Sequence, residues 1–334
     1  MKSISVSRTV AILLLFPLCL ASCAPKQTEY VSQRILKILG SRPPIDEDLA
    51  TLAPAGLQGA AWINLDSMRH SPLWPTLESV LETHYASDLF PRETVLYILR
   101  HADEILAVSG HRNEHEADGF VTLMKGSWDT AEVLNRLTAT GEFKSTASET
   151  GNMLARSNIR IFAVTAKTLA VVSDNLLDKV IELIAQNGRS LREDNHFDQL
   201  KLPDNGGSIA RYVRGNSSLN TQSFSALPLV YRKFAKNAEG ADIAFRISHA
   251  IAVKGNITMS SEKQASQLKK SVDRELKTLS SNVLIAMLGV KSLFNKLKLS
   301  TQANRVKLSM GLTQKDVNKL LQLVDPLMQL KEML

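Results

Sequence analysis

Cysteine is almost absent from this chain. The sequence has 334 residues and two cysteines, Cys19 and Cys23, which both lie near its beginning. Everything after Cys23 lacks a thiol. That part of the chain can therefore hold no disulfide framework, no zinc or iron–sulfur site with cysteine ligands, and no cysteine nucleophile.

Long apolar runs are also missing, apart from one at the beginning. The run from Val10 to Leu20 is 11 residues long and follows the positive charges of Lys2 and Arg8. A helix that crosses a membrane needs roughly 20 apolar residues, so this run has the length of the core of a signal peptide. The sequence predicts that residues 1–22 form a cleavable signal.

The residues that end this run are Leu20-Ala21-Ser22-Cys23. They resemble the lipobox of bacterial lipoproteins, which implies cleavage before Cys23 and attachment of fatty acids such as palmitate to that residue. Two or three acyl chains hold a protein stably on a membrane, whereas one holds it only reversibly. The alternative is an ordinary secretory signal followed by an unmodified cysteine.

The residue after the lipobox is Ala24 and not aspartate. By the same resemblance, an aspartate there would indicate retention in the inner membrane. We therefore expect a location in the cell envelope, on the periplasmic face of the outer membrane if the host has two membranes. In a host with one membrane, the location would be the outer surface of that membrane.

Catalytic motifs are absent from the rest of the sequence. It contains no Gly-x-Ser-x-Gly elbow, no Gly-x-x-x-x-Gly-Lys phosphate loop and no Gly-x-Gly-x-x-Gly fingerprint. His111 and His115 are spaced to share a metal on a helix, but they lie between two predicted strands, so a solvated loop is the better interpretation. We predict no catalytic residue, no metal and no cofactor.

Two other groups of residues have an ordinary structural explanation. Gly206-Gly207-Ser208 resembles an anion-binding turn but fits a domain linker that begins at Pro203. The acids Asp46, Glu47 and Asp48 could form an acid–base pair. After two prolines they fit better as the first turn of a helix, where negative charge is favourable.

Charge is divided unevenly along the chain. Residues 23–200 contain 17 Lys+Arg and 24 Asp+Glu, whereas residues 201–334 contain 21 and 9. This division predicts a boundary near residue 200. We expect a lipid tether with short N-terminal helices at 23–50, one α+β unit at 51–200 and a second at 205–334.

Apolar residues alternate along paired segments that short polar loops separate, which is typical of β-hairpins. The predicted pairs are 104–109 with 120–125, 160–164 with 168–173, 243–247 with 250–257, and 294–299 with 306–310. Single strands are predicted at 60–65 and 209–213, and helices at 71–81, 129–137, 174–184, 227–236, 260–279 and after Thr313. The fold class is thus α+β, with two similar units, each a mostly antiparallel sheet of hairpins with helices packed on one face.

Part of this pattern resembles a group of uncharacterised exported bacterial proteins with duplicated α+β units. The resemblance is based on Leu52-Ala53-Pro54-Ala55, Trp62-Ile63-Asn64-Leu65-Asp66, Ser71-Pro72-Leu73-Trp74 and Phe120-Val121-Thr122-Leu123. It implies the fold and no activity.

A basic helix is predicted from Ser260 to about Leu279. Its basic residues alternate with the apolar residues Leu268, Val272 and Leu276; they are Lys263, Lys269, Lys270, Arg274 and Lys277. Such a surface could bind phosphate groups, but export argues against nucleic acid and leaves phospholipid headgroups, lipopolysaccharide and cell-wall polymers. A solvated helix with an apolar side on the core is the simpler interpretation.

The leading functional hypothesis is a membrane-tethered envelope lipoprotein that acts as a non-enzymatic scaffold or binding module. Its partners would be the membrane, through the lipid anchor, and an envelope protein or anionic polymer. A carrier of lipid or another apolar ligand is the first alternative and would need an apolar cavity of roughly 300 to 1,000 Å³. An unrecognised envelope hydrolase is the second and would need paired carboxylates about 5 to 9 Å apart.

Overall fold

The structure is a computed structural model, and it divides into two compact units. It describes residues 48–57, 59–84, 90–110, 119–146, 153–185, 188–194, 210–214, 237–281 and 291–319. The N-terminal unit takes its described residues from Leu20–His70 and Leu77–Leu202, and the C-terminal unit from Ser71–Thr76 and Pro203–Leu334. The boundary predicted between 200 and 205 lies outside the described residues, as do the signal and most of the predicted tether.

The N-terminal unit is built on an antiparallel sheet. Its strands are β1 (Gly59–Asn64), β2 (Ala102–Gly110), β3 (Gly119–Gly126), β4 (Lys144–Thr146), β5 (Met153–Arg156), β6 (Ile159–Ala163) and β7 (Thr168–Ser173). Their order across the sheet is β1-β2-β3-β7-β6-β5-β4, and each pairs with its neighbours in antiparallel fashion. The two hairpins predicted for this region are confirmed as β2–β3 and β6–β7.

The same part of the chain also contains helices. They are α1 (Leu49–Leu52), α2 (Leu65–Arg69), α3 (Trp74–His84), α4 (Arg92–His101), α5 (Thr130–Ala139) and α6 (Asp174–Ile184). Side-chain oxygens cap three of them by accepting a hydrogen bond from a free backbone N–H: Asp48 caps α1, Asn64 caps α2 and Asp129 caps α5. Asp48 thus lies at the start of a helix as expected, but as its N-cap and not within its first turn, whereas Asp46 and Glu47 lie outside the described residues.

Different helices cover the two faces of the N-terminal sheet. Val171 of β7 belongs to a buried cluster with Leu137 of α5. The next side chain, Val172, points to the opposite face and is also buried. Gly119 of β3 faces that same side, where a Cβ atom would lie 2.7 Å from Cγ of Leu176 in α6. Helix α5 therefore packs on one face and α6 on the other, so the expectation that helices pack on one face only is wrong for this unit.

The C-terminal unit has a second set of antiparallel strands. They are β8 (Ala210–Arg214), β9 (Ala238–Ile247), β10 (Ala250–Met259), β11 (Lys298–Gln302) and β12 (Arg305–Thr313), in the order β11-β12-β10-β9-β8. Helix α7 (Glu262–Ser281) and the short helix α8 (Lys291–Phe294) lie between β10 and β11, and residues 314–319 are helical. The predicted fold class, α+β with two units of antiparallel hairpins and helices, is confirmed.

Several elements differ from the sequence-based expectation. The last hairpin begins at Lys298 and not at Phe294, because Lys291–Phe294 forms α8. The helix expected from Ser71 begins at Trp74, since Ser71–Leu73 forms a turn in which the Ser71 hydroxyl accepts from the Leu73 N–H. Strands β4 and β5 and helices α2 and α4 were not predicted at all, and the helix predicted at 227–236 lies outside the described residues.

Thr313 and Asp316 form a reciprocal cap at the N-terminus of the helix at residues 314–319. The Thr313 N–H donates to Oδ2 of Asp316 at 2.7 Å, and the Asp316 N–H donates back to the Thr313 hydroxyl at 3.4 Å. Lys296 also donates to Oδ2 of Asp316. The hydrogen bonds from Lys296 and then Thr313 lower the pKa of Asp316 from 3.8 to about 2.

This depressed pKa predicts a dependence of stability on pH. The stabilisation by Asp316 is fully present above its ordinary pKa of 3.8 and is lost as the pH falls through the folded value of about 2. We expect Asp316→Asn to lower the free energy of unfolding by about 1–2 kcal/mol at pH 5 and by much less at pH 2. Urea unfolding at both pH values measures this difference. Glu239→Gln, at an exposed position, is the control, and an equal loss for Asp316→Asn at both pH values would contradict the cap.

Candidate binding surface

Helix α7 packs one side on the C-terminal sheet. Ala265 and Leu268 of the helix are buried in a cluster with Met259 of β10 and Val306 of β12. Val272, one turn further along, packs against the same cluster. This arrangement fixes which side of the helix faces water, since residues three and four apart share one face.

The opposite side of α7 carries a row of cations. Lys263, Lys270, Arg274 and Lys277 are all exposed, and we call these four residues the basic stripe. At about 100° per residue, they lie within an arc of about 60° around the helix axis, directly opposite Leu268 and Val272. None of the four forms an ion pair with another residue in the described part of the chain.

The fifth predicted residue, Lys269, does not belong to this row. Its Nζ lies 2.5 Å from Oδ2 of Asp273, one turn along the helix, and its side chain is 33% exposed. The acids of α7 are Glu262, Asp273 and Glu275, and all three flank the basic stripe without entering it. The structure thus brings together four of the five predicted residues and pairs the remaining one with a neighbouring acid.

The strands of the C-terminal unit present a second row of cations that the sequence analysis missed. On β9, β10, β11 and β12 the side chains that point away from α7 are mostly polar and exposed. We call this surface the polar sheet face, and it contains five basic residues: Arg246, Lys254, Lys298, Arg305 and Lys307. The alternation in β11 and β12 indicated an exposed side, but only the strand register shows that these cations share one surface.

Strand pairing fixes the positions of these cations. Lys254 of β10 and Lys298 of β11 both pair with Ser309 of β12, so they lie in one row across three strands. Lys307 lies in the next row, between Asn256 and Ser300. With strands about 4.8 Å apart and alternate residues about 6.7 Å apart, neighbouring cations are separated by about 7 to 10 Å at the backbone.

Several acidic side chains of the N-terminal unit lie close together, and they form ion pairs with arginines. Arg100 donates to Oε1 of Glu78 and to Oε1 of Glu82, both at 2.6 Å. Arg69 lies 2.9 Å from Asp103 and 3.4 Å from Asp66. These carboxylates are therefore ion-pair partners within the fold, and nothing in their geometry points to a general acid and base.

One ion pair of the N-terminal unit is largely buried. Arg160 is 5% exposed and its Nη2 lies 3.2 Å from the Asp174 carboxylate at the start of α6. Arg160 also donates to the carbonyl oxygens of Ser157 and Ile159. Burial raises the pKa of Asp174, and the nearby guanidinium partly opposes this shift. The pair connects β6 to the first turn of α6, so a structural role accounts for it.

Several predicted site residues lie outside the described ranges. They are the lipobox residues Leu20, Ala21 and Ser22 with the lipidation residue Cys23, the histidines His111 and His115, and the turn Gly206–Ser208. Among the described residues, no three His, Cys, Asp or Glu side chains are grouped to hold a metal. No helix in the described ranges has both the length and the apolar character needed to cross a membrane.

The fold is similar to that of a known lipoprotein. No protein-family model and no curated protein match the chain. Crystal form III of TP0453, a Treponema lipoprotein, has a TM-score of 0.54 and 11% identity over 81% of this chain and 96% of that one. Crystal form IV gives a TM-score of 0.52 and 8% identity, covering 82% and 95%. Identities this low show a likeness of fold alone.

The orientation of α7 can be tested by two alanine substitutions. Leu268 is 7% exposed, so Leu268→Ala should lower the free energy of unfolding by about 2–5 kcal/mol. Lys270→Ala, half a turn away on the exposed side, should change it by no more than about 0.5 kcal/mol. Chemical denaturation of both variants measures the effect. Equal losses would show that the basic stripe is not solvent-facing.

Proposed function

We propose that this protein is a lipid-anchored envelope lipoprotein that acts as a binding module and not as an enzyme. The observation that carries the proposal is the basic stripe on α7. Four cations lie in a row on the exposed side of one helix, and no acid of that helix lies between them. The likeness in fold to a Treponema lipoprotein supports the same class of protein.

The shape of the basic stripe suggests the chemistry of its partner. From Lys263 to Lys277 the helix rises by about 21 Å, so the cations follow a line and not a patch. Such a line matches an extended chain of negative charges. An anionic envelope polymer, or an acidic segment of an envelope protein, has this form. Nucleic acid is not expected outside the cytoplasm.

A lipid anchor on Cys23 would increase the effect of a weak binding surface. Confinement at a membrane raises the effective concentration of a module near partners in the same layer, so modest affinities are sufficient. Two or three acyl chains would make this confinement lasting. The binding surface and the anchor thus have separate roles that can be tested separately.

The anchor is tested by mass spectrometry of the protein purified from its own membrane fraction. The wild-type chain should begin at Cys23 and carry the mass of two or three acyl chains. Cys23→Ala should carry none, and a high-salt wash should release it from the membrane fraction, whereas the wild-type protein should stay bound. A wild-type protein with an unmodified Cys23, free in solution, would rule out the anchor and reopen the carrier and hydrolase alternatives.

The basic stripe is tested by crosslinking in intact cells. The variant with Lys263, Lys270, Arg274 and Lys277 all changed to Gln, which we call the stripe variant, should lose a defined envelope partner that wild type captures. The matched control removes the same number of charges from the polar sheet face by changing Lys254, Lys298, Arg305 and Lys307 to Gln, and we call it the sheet variant.

The control separates a local surface from overall charge. Capture that survives in the sheet variant and is lost in the stripe variant supports the proposal. Equal loss in both would show that net charge alone is responsible, and unchanged capture in the stripe variant would show that α7 is not the binding surface. Circular dichroism and thermal unfolding establish that both variants remain folded.

A further inference from the structure

We propose that the polar sheet face of the C-terminal unit binds an anionic membrane surface through electrostatic contact. This surface lies on the side of the sheet opposite to α7. The inference goes beyond the proposed function, because it concerns different residues and does not require the lipid anchor or a partner on the basic stripe.

The charge of this face is strongly one-sided. All five of its basic residues are exposed, and none of them has an ion-pair partner among the described residues. Strands β9 to β12 contain only two acids, Glu239 and Asp242, both in β9, and Asp242 lies on the polar sheet face opposite Asn256. Strands β10, β11 and β12 contain none. The field at this face is therefore positive, which complements a layer of anionic headgroups.

The arrangement of the cations distinguishes a membrane from a linear partner. On the polar sheet face the cations come from four strands and spread in two dimensions, along the strands and across them. On α7 they follow one line. A two-dimensional array can meet many headgroups of a flat surface at once, whereas a single polymer strand would cross only a few of these cations.

The side chains between the cations favour contact without insertion. The neighbours of Lys254 and Lys307 on this face are short or small, such as Asn256, Ser300 and Ser309. The large apolar residues of the same strands, such as Val253, point to the other side. The long basic side chains thus extend furthest from the sheet and would reach the headgroup level first.

The test uses residues 23–334 with Cys23→Ala, so that no acyl chain contributes. Binding is measured by co-sedimentation with vesicles of phosphatidylcholine alone or with about a third phosphatidylglycerol. We expect binding only to the anionic vesicles, and loss of that binding in 0.5 M salt, where the Debye length falls to roughly 4 Å.

The two four-charge variants then locate the surface. The sheet variant should reduce the partition coefficient on anionic vesicles by roughly 100-fold or more, since each basic residue near such a membrane contributes a factor of about five. The stripe variant should reduce it by no more than about threefold. Equal reductions, a larger effect of the stripe variant, or binding to neutral vesicles would each overturn the inference.

These outcomes are independent of those for the proposed function. Loss of partner capture in the stripe variant concerns the helix, and loss of vesicle binding in the sheet variant concerns the strands. If the sheet variant binds vesicles normally but loses capture of a polymer or protein, the polar sheet face has a macromolecular partner and not a membrane.

Discussion

The pairing of β10 with β12 is the constraint on which the C-terminal unit depends. Nine consecutive residue pairs, from Ala250 with Thr313 to Thr258 with Arg305, keep one register. Because side chains alternate, a slip by one residue would turn Val253 to water and Lys254 into the core. The same register therefore sets the apolar side on which α7 packs and the polar sheet face behind it. Core packing and surface charge cannot change independently here.

The sequence predicts the elements whose periodicity is long and one-sided. The hairpins β2–β3, β6–β7 and β9–β10 all have recognisable apolar strands, and α7 shows a clear helical repeat over 20 residues. Strands β4 and β5 have three and four residues, too few to show a period. Both Met153 and Leu154 of β5 are buried, so this strand lacks the alternation by which a half-exposed strand is recognised. Helix α4 is followed directly by β2, so no polar loop marks the end of the helix in the sequence.

The basic stripe can be predicted from the sequence, whereas the polar sheet face cannot. The basic stripe belongs to one helix, so helical spacing alone groups Lys263, Lys270, Arg274 and Lys277, and the same spacing places Lys269 away from them. The polar sheet face collects cations from four strands, and Lys254 and Lys298 are far apart in sequence. Their shared row depends on the register of each with β12. Such a surface can be recognised only when the pairing is known.

A charged residue of this protein points to a binding surface only if it has no ion-pair partner within the fold. Acids of the N-terminal unit surround arginines, as Glu78 and Glu82 surround Arg100, so much of that charge already stabilises the fold. On α7 the neighbours Lys270 and Arg274 are four residues apart, and like charges at this spacing cost a few tenths of a kcal/mol. Alternating lysine and glutamate on this face would instead stabilise the helix. Folding therefore gains nothing from a row of like charges, and this cost to helix stability supports the proposal that the row binds an anionic partner.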